Sequence, residues 1–128
     1  MNKLRILLAD DHEGFRSLLA SFLRSQPGVE LVAEAVDGDD AIDQSKRIRP
    51  DLVLMDVRMP RRDGIEATKA IKAERPEIRV VMMSMESSDS YRRSARAVAD
   101  GYIEKNSMKH SLLSLLTDEH ERSVRLAV

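Results

Sequence analysis

Two hydrophobic periods alternate along the chain. Short apolar runs, typical of buried strands, are separated by segments in which apolar residues recur every three or four positions, as on one face of a helix. The predicted strands cover residues 4–9, 29–35, 52–55, 78–83 and 101–104. The predicted helices begin near Phe15, near Ala41, at about Asp63, at Ser87 or Ser88, and at Asn106 or Ser107. Prolines at positions 27, 50 and 76 separate the first three helices from the strands that follow.

This alternation predicts an α/β fold built from five βα units. Short connections between such units favour one doubly wound parallel sheet with helices on both faces. The run Leu52-Val53-Leu54-Met55 is typical of a central strand, whereas Glu30 and Glu34 indicate that the second strand lies at an edge. We expect a single domain over residues 1–128, with a core at about 3–116 and a C-terminal helix or tail to 128.

Composition narrows the class of function. The chain has 128 residues, of which 42% are hydrophobic, with a net charge of −1 and no cysteine. Without a basic excess we expect no direct nucleic-acid binding, and without cysteine there are no disulfides, zinc-thiolate sites or thiol catalysis. Asp10 and Asp11 interrupt the first apolar run too early for a signal peptide or membrane span. We therefore expect a cytoplasmic protein with no membrane partner.

Five polar residues follow the ends of predicted strands. Asp10 and Asp11 follow the first, Asp56 the third, Ser84 the fourth and Lys105 the fifth. In such sheets ligands bind at the carboxyl ends of the strands, where the strand order reverses. Clustered carboxylates repel one another unless a cation lies among them, and oxygen ligands suit Mg2+. A hydroxyl and an ammonium opposite them fit phosphoryl transfer to an aspartate.

Each residue also has a purely structural interpretation. Asp10 and Asp11 could cap the first helix, Asp56 could cap a turn, Ser84 could cap a helix, and Lys105 could be solvated. The metal-site hypothesis is favoured because all five are expected at one sheet edge.

Two rival functions are weaker. A Mg2+-dependent aspartyl-phosphate phosphatase needs a second aspartate two residues after its nucleophile, but Arg58 and His12 occupy the corresponding positions. A flavodoxin-like ligand binder needs a Gly- or Ser/Thr-rich phosphate loop after the first strand, and the sequence has none there.

Residues 56–64, DVRMPRRDG, match the pattern D-x-x-M-P-x-x-D-G. Together with the acidic pair, Ser84, and Gly101-Tyr102 before Lys105, this segment resembles the receiver domains of bacterial two-component response regulators over residues 3–116. The resemblance implies a flavodoxin-like (βα)5 fold with strand order 2-1-3-4-5.

The resemblance also implies how the metal is held. Asp56 would be the phosphoacceptor, and Asp56 and Asp11 would ligate Mg2+ directly. Asp10 would act through water, and the backbone carbonyl of Arg58 would be a further ligand. We interpret His12 as a residue of the first helical turn near the cluster rather than as a metal ligand.

On the opposite side of the site, Ser84 would donate a hydrogen bond to the phosphoryl group and Lys105 would pair with it. Tyr102 would be an aromatic switch that moves inward when Ser84 shifts. The alternative for Tyr102 is a half-buried strand residue that does not move.

The implied function is a receiver in a two-component phosphorelay. A sensor histidine kinase or phosphotransfer protein would phosphorylate the chain, which would switch the face built from the fourth helix, fifth strand and fifth helix. That face would control an output domain or partner protein, and homodimer formation is compatible with this role. Such a chain is not an enzyme beyond its own phosphoryl transfer and dephosphorylation. The stretch GYIEKN at 101–106 resembles regulators with a LuxR-type helix-turn-helix output.

Three positions depart from the family pattern. Met85 replaces a small residue, Asn106 a common proline, and Val98 a glycine that often ends the fourth helix. We expect Met85 to cover the path by which water reaches the phosphoryl group, with Arg58 and Glu86 flanking the opening. The alternative is that Met85 turns into the core.

Overall fold

The computed structural model describes residues 3–85 and 89–127, with the side chains of 89, 91 and 120–127 left aside. The strands are β1 Leu4–Ala9, β2 Val29–Ala35, β3 Leu52–Asp56, β4 Arg79–Ser84 and β5 Gly101–Glu104. The helices are α1 Glu13–Arg24, α2 Gly38–Ile48, α3 Gly64–Glu74, α4 Asp89–Val98 and α5 Met108–Ala127. The sheet is parallel in the order β2-β1-β3-β4-β5, which confirms the predicted flavodoxin-like fold.

The sheet separates two hydrophobic cores. Alternate residues of β3 point to opposite sides, so that Val53 and Met55 join one core while Leu52 and Leu54 join the other. All five residues of β3 are buried, as expected for a central strand covered by helices on both faces. Strand β2 lies at the edge, and its Glu30 is exposed. Leu18 departs from the predicted stripe of α1, because its side chain is 75% exposed.

Aspartate side chains begin two of the helices. Asp37 accepts a hydrogen bond from the backbone N–H of Asp40 at 2.8 Å, and Asp63 accepts one from Glu66 at 2.9 Å. Each caps the helix that follows it, α2 and α3 respectively. The predicted caps of the fourth helix, Ser87 and Ser88, lie outside the described residues.

Two predicted boundaries require correction. Strand β4 begins at Arg79 instead of Ile78, although Ile78 is buried. The fifth helix begins at Met108, directly after a 3-10 turn at 105–107 that contains Asn106 and Ser107, and the capping role of these two residues stays a prediction. The α5 helix continues past the predicted core to Ala127.

An ion-pair network fixes the amino ends of β4 and β5. The Asp100 carboxylate accepts hydrogen bonds from Val80 N and Lys72 Nζ, both at 2.8 Å, and from Arg79 Nη1 at 3.0 Å. Burial alone would raise the pKa of Asp100, but these donors together lower it below its ordinary value. Arg79 Nε also lies 3.3 Å from the buried carboxylate of Glu119, so the network connects the sheet to α5.

Candidate functional site

Parallel strand order brings the predicted site residues to one edge of the sheet. Because β1 pairs with β3, Asp10 at the end of β1 lies beside Asp56 at the end of β3. Ser84 ends β4, where it pairs with Glu104, the last residue of β5, and Lys105 follows directly. Ser84 lies five positions before α4 begins, so it is not the cap of that helix.

Lys105 is held inside the site. Its Nζ lies 2.7 Å from Asp10 Oδ2 and 3.4 Å from Asp56 Oδ1, and the three side chains are at most 5% exposed. The Phe15 ring of α1 covers the ammonium with its centroid 4.4 Å from Nζ. A buried ammonium needs such partners. The interpretation of Lys105 as a solvated surface residue is therefore wrong.

The acidic pair does not cap α1. The N-cap residue is His12, and its side chain makes no capping hydrogen bond. Asp10 is fully buried and its Oδ1 accepts a hydrogen bond from His12 N at 2.9 Å, while Arg16 Nη1 donates to the Asp10 carbonyl at 2.8 Å. These contacts hold the Asp10 carboxylate toward the site, and the N-cap interpretation of Asp10 and Asp11 is wrong.

The electrostatic environment of Asp56 disfavours the charged form of its carboxyl group. Its burial and the neighbouring Asp10 charge raise its pKa to about 7, against the opposing effect of Lys105 and with a smaller contribution from Asp11. Among the residues that the structure describes, none donates a hydrogen bond to the buried Oδ2 of Asp56. A buried carboxylate oxygen without a donor, close to two further carboxylates, requires positive charge. The oxygen donors of Asp10, Asp11 and Asp56 fit a hard divalent cation such as Mg2+.

His12 lies near this cluster, as predicted, although it is the N-cap residue of α1 and not part of its first turn. Its Nδ1 is 3.2 Å from Asp10 Oδ1, 3.3 Å from Asp11 Oδ1 and 3.7 Å from Asp56 Oδ2. One ligand atom from each of these four residues lies within 4.8 Å of the others. The sequence signal was only that His12 follows Asp11, because the direction of its ring depends on how the chain enters α1.

The loop between β3 and α3 packs directly against the phosphoacceptor candidate. Gly64 N donates to the Val57 carbonyl at 2.8 Å. A Cβ added at Gly64 would lie 2.0 Å from the backbone carbonyl oxygen of Asp56. Only glycine permits this approach. The Asp-Gly end of the motif therefore positions Asp56 through packing.

Residues between the site and the outer face lie on β4, β5 and α4. Ser84 is buried and Tyr102 is half-buried. The guanidinium of Arg92, on α4, lies 5.8 Å from the centre of the Tyr102 ring and pairs with Glu104.

The structure describes two of the three residues predicted to control water access, Met85 and Arg58. Met85 is 71% exposed, so the alternative that it turns into the core is wrong. Arg58 is also exposed, whereas Glu86 lies outside the described residues. Whether Met85 slows hydrolysis stays a prediction.

The sheet has five parallel strands in this order, and an acidic cluster and a buried lysine lie at their carboxyl edge. These features define the class of flavodoxin-like receivers. The sequence model of the response regulator receiver domain matches residues 6–117, and the chain belongs to that family. Among the described residues 3–85 and 89–127, none of the helices is both long and apolar enough to cross a membrane.

Known relatives agree with this assignment. The chain is 37% identical over 120 residues to the response regulator protein VraR of Staphylococcus epidermidis, covering 92% of this chain and 57% of VraR. It thus spans about half the length of the curated relatives it matches. The response regulator domain of Thermotoga maritima CheB superposes with a TM-score of 0.82 at 28% identity, covering 92% of this chain and 96% of that domain. A LuxR-family two-component regulator from Aurantimonas sp. SI85-9A1 superposes with a TM-score of 0.81 at 28% identity, covering 91% of this chain and 87% of that structure.

Proposed function

We propose that Asp56 accepts a phosphoryl group from a histidine kinase or phosphotransfer protein in a Mg2+-dependent reaction. The single observation that carries this proposal is the environment of the Asp56 carboxylate. This carboxylate is buried and lies 3.4 Å from Lys105 Nζ through Oδ1, and no donor in the described part of the chain reaches Oδ2. A carboxylate in this environment is available as a nucleophile and is surrounded by groups that bind oxyanions and cations.

The residues around Asp56 have separate roles. Asp11, Asp56 and the backbone carbonyl of Arg58 would hold Mg2+, and Asp10 would act through water and through its ion pair with Lys105. Bound Mg2+ neutralises the carboxylates and the charge on the transferred phosphoryl group. In the transfer, an Asp56 oxygen bonds to phosphorus as the bond from phosphorus to the donor nitrogen or oxygen breaks.

After transfer, the phosphoryl oxygens lie among the donors opposite the metal. Lys105 pairs with one oxygen, and its ammonium is already oriented by Asp10 at 2.7 Å. Ser84 donates its hydroxyl to another. Because Lys105 changes partners without leaving the site, little reorganisation is needed when the charge on Asp56 increases.

The signal leaves through the face formed by α4, β5 and α5. A pull on Ser84 alters the end of β4, which pairs with Glu104 of β5, two residues beyond Tyr102. Tyr102 is half-buried beneath Arg92, so a small displacement at the site favours a second packing of this face. The switched face binds an output domain or a partner protein, or a second copy of the chain. The protein acts in the cytoplasm and catalyses only its own phosphorylation and dephosphorylation.

Metal dependence tests the chemical part of this proposal. Phosphorylation by acetyl phosphate should require Mg2+ and stop in excess EDTA. Asp11→Ala should weaken Mg2+ binding by roughly tenfold or more and nearly abolish labelling. Asp43→Ala, an exposed aspartate on α2, is the matched control. Equal Mg2+ affinity in the wild type and Asp11→Ala, measured by calorimetric titration, would contradict the assignment.

Amide hydrogen exchange tests the switch. Beryllofluoride with Mg2+, a mimic of the phosphoryl group, should change exchange between Ser84 and Lys105 and in α5. The Asp56→Asn variant should show no such change. Changes confined to α1 and α2 would show that the signal leaves through another face.

A further inference from the structure

We infer that the site also binds a borderline transition-metal ion such as Zn2+. Its ligands would be His12 Nδ1 and the carboxylates of Asp10, Asp11 and Asp56. The inference deepens the proposed Mg2+ site and rests on it. The two ions use overlapping carboxylates, but only the transition-metal ion uses the imidazole, so it competes with Mg2+.

The distances fit a tetrahedral ion better than an octahedral one. Zn2+ bonds of about 2.0–2.2 Å place neighbouring ligand atoms of a tetrahedron about 3.3–3.6 Å apart. The distances from His12 Nδ1 to the Asp10, Asp11 and Asp56 oxygens are 3.2, 3.3 and 3.7 Å. Octahedral Mg2+, with bonds of about 2.0–2.1 Å, requires adjacent ligands about 2.9 Å apart and opposite ligands about 4.1 Å apart. The imidazole nitrogen is therefore spaced from the three carboxylate oxygens much as one ligand of a tetrahedron is from the other three, and one ligand atom from each of the four residues lies within 4.8 Å of the others.

A second observation concerns a buried oxygen of the cluster. Asp56 Oδ2 is on a side chain that is 5% exposed and faces His12, and no group of residues 3–85 and 89–127 donates a hydrogen bond to it. Lys105 occupies the other side of the cluster, near Asp56 Oδ1 and Asp10 Oδ2. Three carboxylates and one ammonium leave two negative charges, which a divalent ion bound with a neutral imidazole balances.

The His12 ring can move into or out of the site without disturbing the fold. Its side chain is 61% exposed and makes no capping hydrogen bond to α1. Its backbone N–H is held by Asp10 Oδ1 at 2.9 Å, so the residue stays beside the cluster while the ring turns. Metal selectivity therefore depends on a side chain that contributes little to the stability of the fold.

Ligand chemistry separates the two ions. Imidazole suits Zn2+ and other late first-row ions, whereas Mg2+ prefers oxygen ligands and retains water. Four protein ligands close the coordination shell of a tetrahedral ion, as in structural zinc sites. A closed shell on Asp56 leaves no position for a phosphoryl oxygen. Zn2+ bound in this way is expected to hold the receiver unphosphorylated.

Direct metal titration tests the inference without using activity. Zn2+ and Mg2+ affinities would be measured by calorimetry or chelator competition on the wild type, His12→Ala, His12→Gln and the control His110→Ala, which removes an exposed imidazole from α5. Both His12 variants should lose Zn2+ affinity by roughly tenfold or more and keep Mg2+ affinity within about twofold. His110→Ala should match the wild type.

Co2+ supplies a spectroscopic readout, because the chain has no cysteine to contribute thiolate bands. The wild type should give the intense visible absorption of tetrahedral Co2+, and His12→Ala the weak absorption of an octahedral oxygen site. Zn2+ affinity and Co2+ spectra that are the same in the wild type and both His12 variants would overturn the inference. A wild type that neither binds Mg2+ nor is labelled by acetyl phosphate would instead refute the proposed function.

Discussion

Replacing Asp56 by asparagine is expected to stabilise the metal-free protein at alkaline pH. Burial and Asp10 raise the pKa of Asp56 from 3.8 to about 7. Between these values the folded protein retains a proton that the unfolded chain has released. By linkage, the contribution of Asp56 to the free energy of unfolding decreases as the pH rises from about 4 to about 7. Above pH 7 the folded state carries the full penalty of an ionised Asp56.

The size of this penalty follows from the shift. Roughly three pKa units at about 1.4 kcal/mol each correspond to about 4 kcal/mol. Solvent screening is weak because the Asp56 side chain is only 5% exposed. Relaxation of the more exposed Asp11 reduces the repulsion, so about 2–4 kcal/mol is expected. Asparagine has nearly the same shape and carries no charge, so it removes this penalty.

Urea unfolding in EDTA at pH 5 and pH 8 measures the effect. At pH 8 Asp56→Asn should be more stable than the wild type by about 2–4 kcal/mol, and at pH 5 the difference should fall to about 1–2 kcal/mol. Asp118→Asn, an exposed substitution on α5, should change little at either pH. Saturating Mg2+ at pH 8 should stabilise the wild type and narrow the difference. A variant no more stable than the wild type at pH 8 would refute the reasoning.

Three further substitutions test other parts of the structure. Asp100→Ala should lower the free energy of unfolding by about 2–4 kcal/mol at pH 7, because Lys72 and two further donors lose their acceptor. Since the pKa of Asp100 is lowered, this difference in stability should be present above pH 4 and disappear as the pH falls through that pKa. Equal stability of the variant and the wild type at pH 7 would contradict this prediction. Gly64→Ala should lower the free energy of unfolding by roughly 1–3 kcal/mol and slow phosphorylation, because the added Cβ would lie 2.0 Å from the Asp56 carbonyl oxygen. Unchanged urea midpoints and labelling rates would disprove the clash. Met85→Ala should lose its phosphoryl group up to about tenfold faster after the donor is removed, whereas an unchanged or slower decay would show that Met85 does not guard the site.

Strand positions were predictable because buried parallel strands are short apolar runs with distinct ends. The same ends identified Asp10, Asp56 and Lys105 as neighbours, since parallel strands finish at one edge of a sheet. Strand order was available only through the resemblance to a family, because hydrophobic periodicity does not specify which strands pair. The boundary at Ile78 was missed because a buried residue in a turn and one in a strand have the same hydrophobic signal.

Side-chain directions at the site depend on tertiary packing and could not be predicted. The burial of Lys105 depends on Phe15, which approaches only when α1 packs against β1 and beside the start of α5. The approach of His12 to the carboxylates depends on the turn that Asp10 forms with the backbone of His12. Leu18 fits the helical stripe of α1 yet is exposed, because it lies at the outer rim of the groove between α1 and α5.

The central claim is that Asp56 is the phosphoacceptor, and intact-mass analysis tests it most directly. The full chain would be incubated with acetyl phosphate and Mg2+, alongside Asp56→Asn and Asp11→Asn. The account predicts a mass gain of one phosphoryl group in the wild type, none in Asp56→Asn, and a strongly reduced gain in Asp11→Asn. Undiminished labelling of Asp56→Asn at another carboxylate would contradict the account.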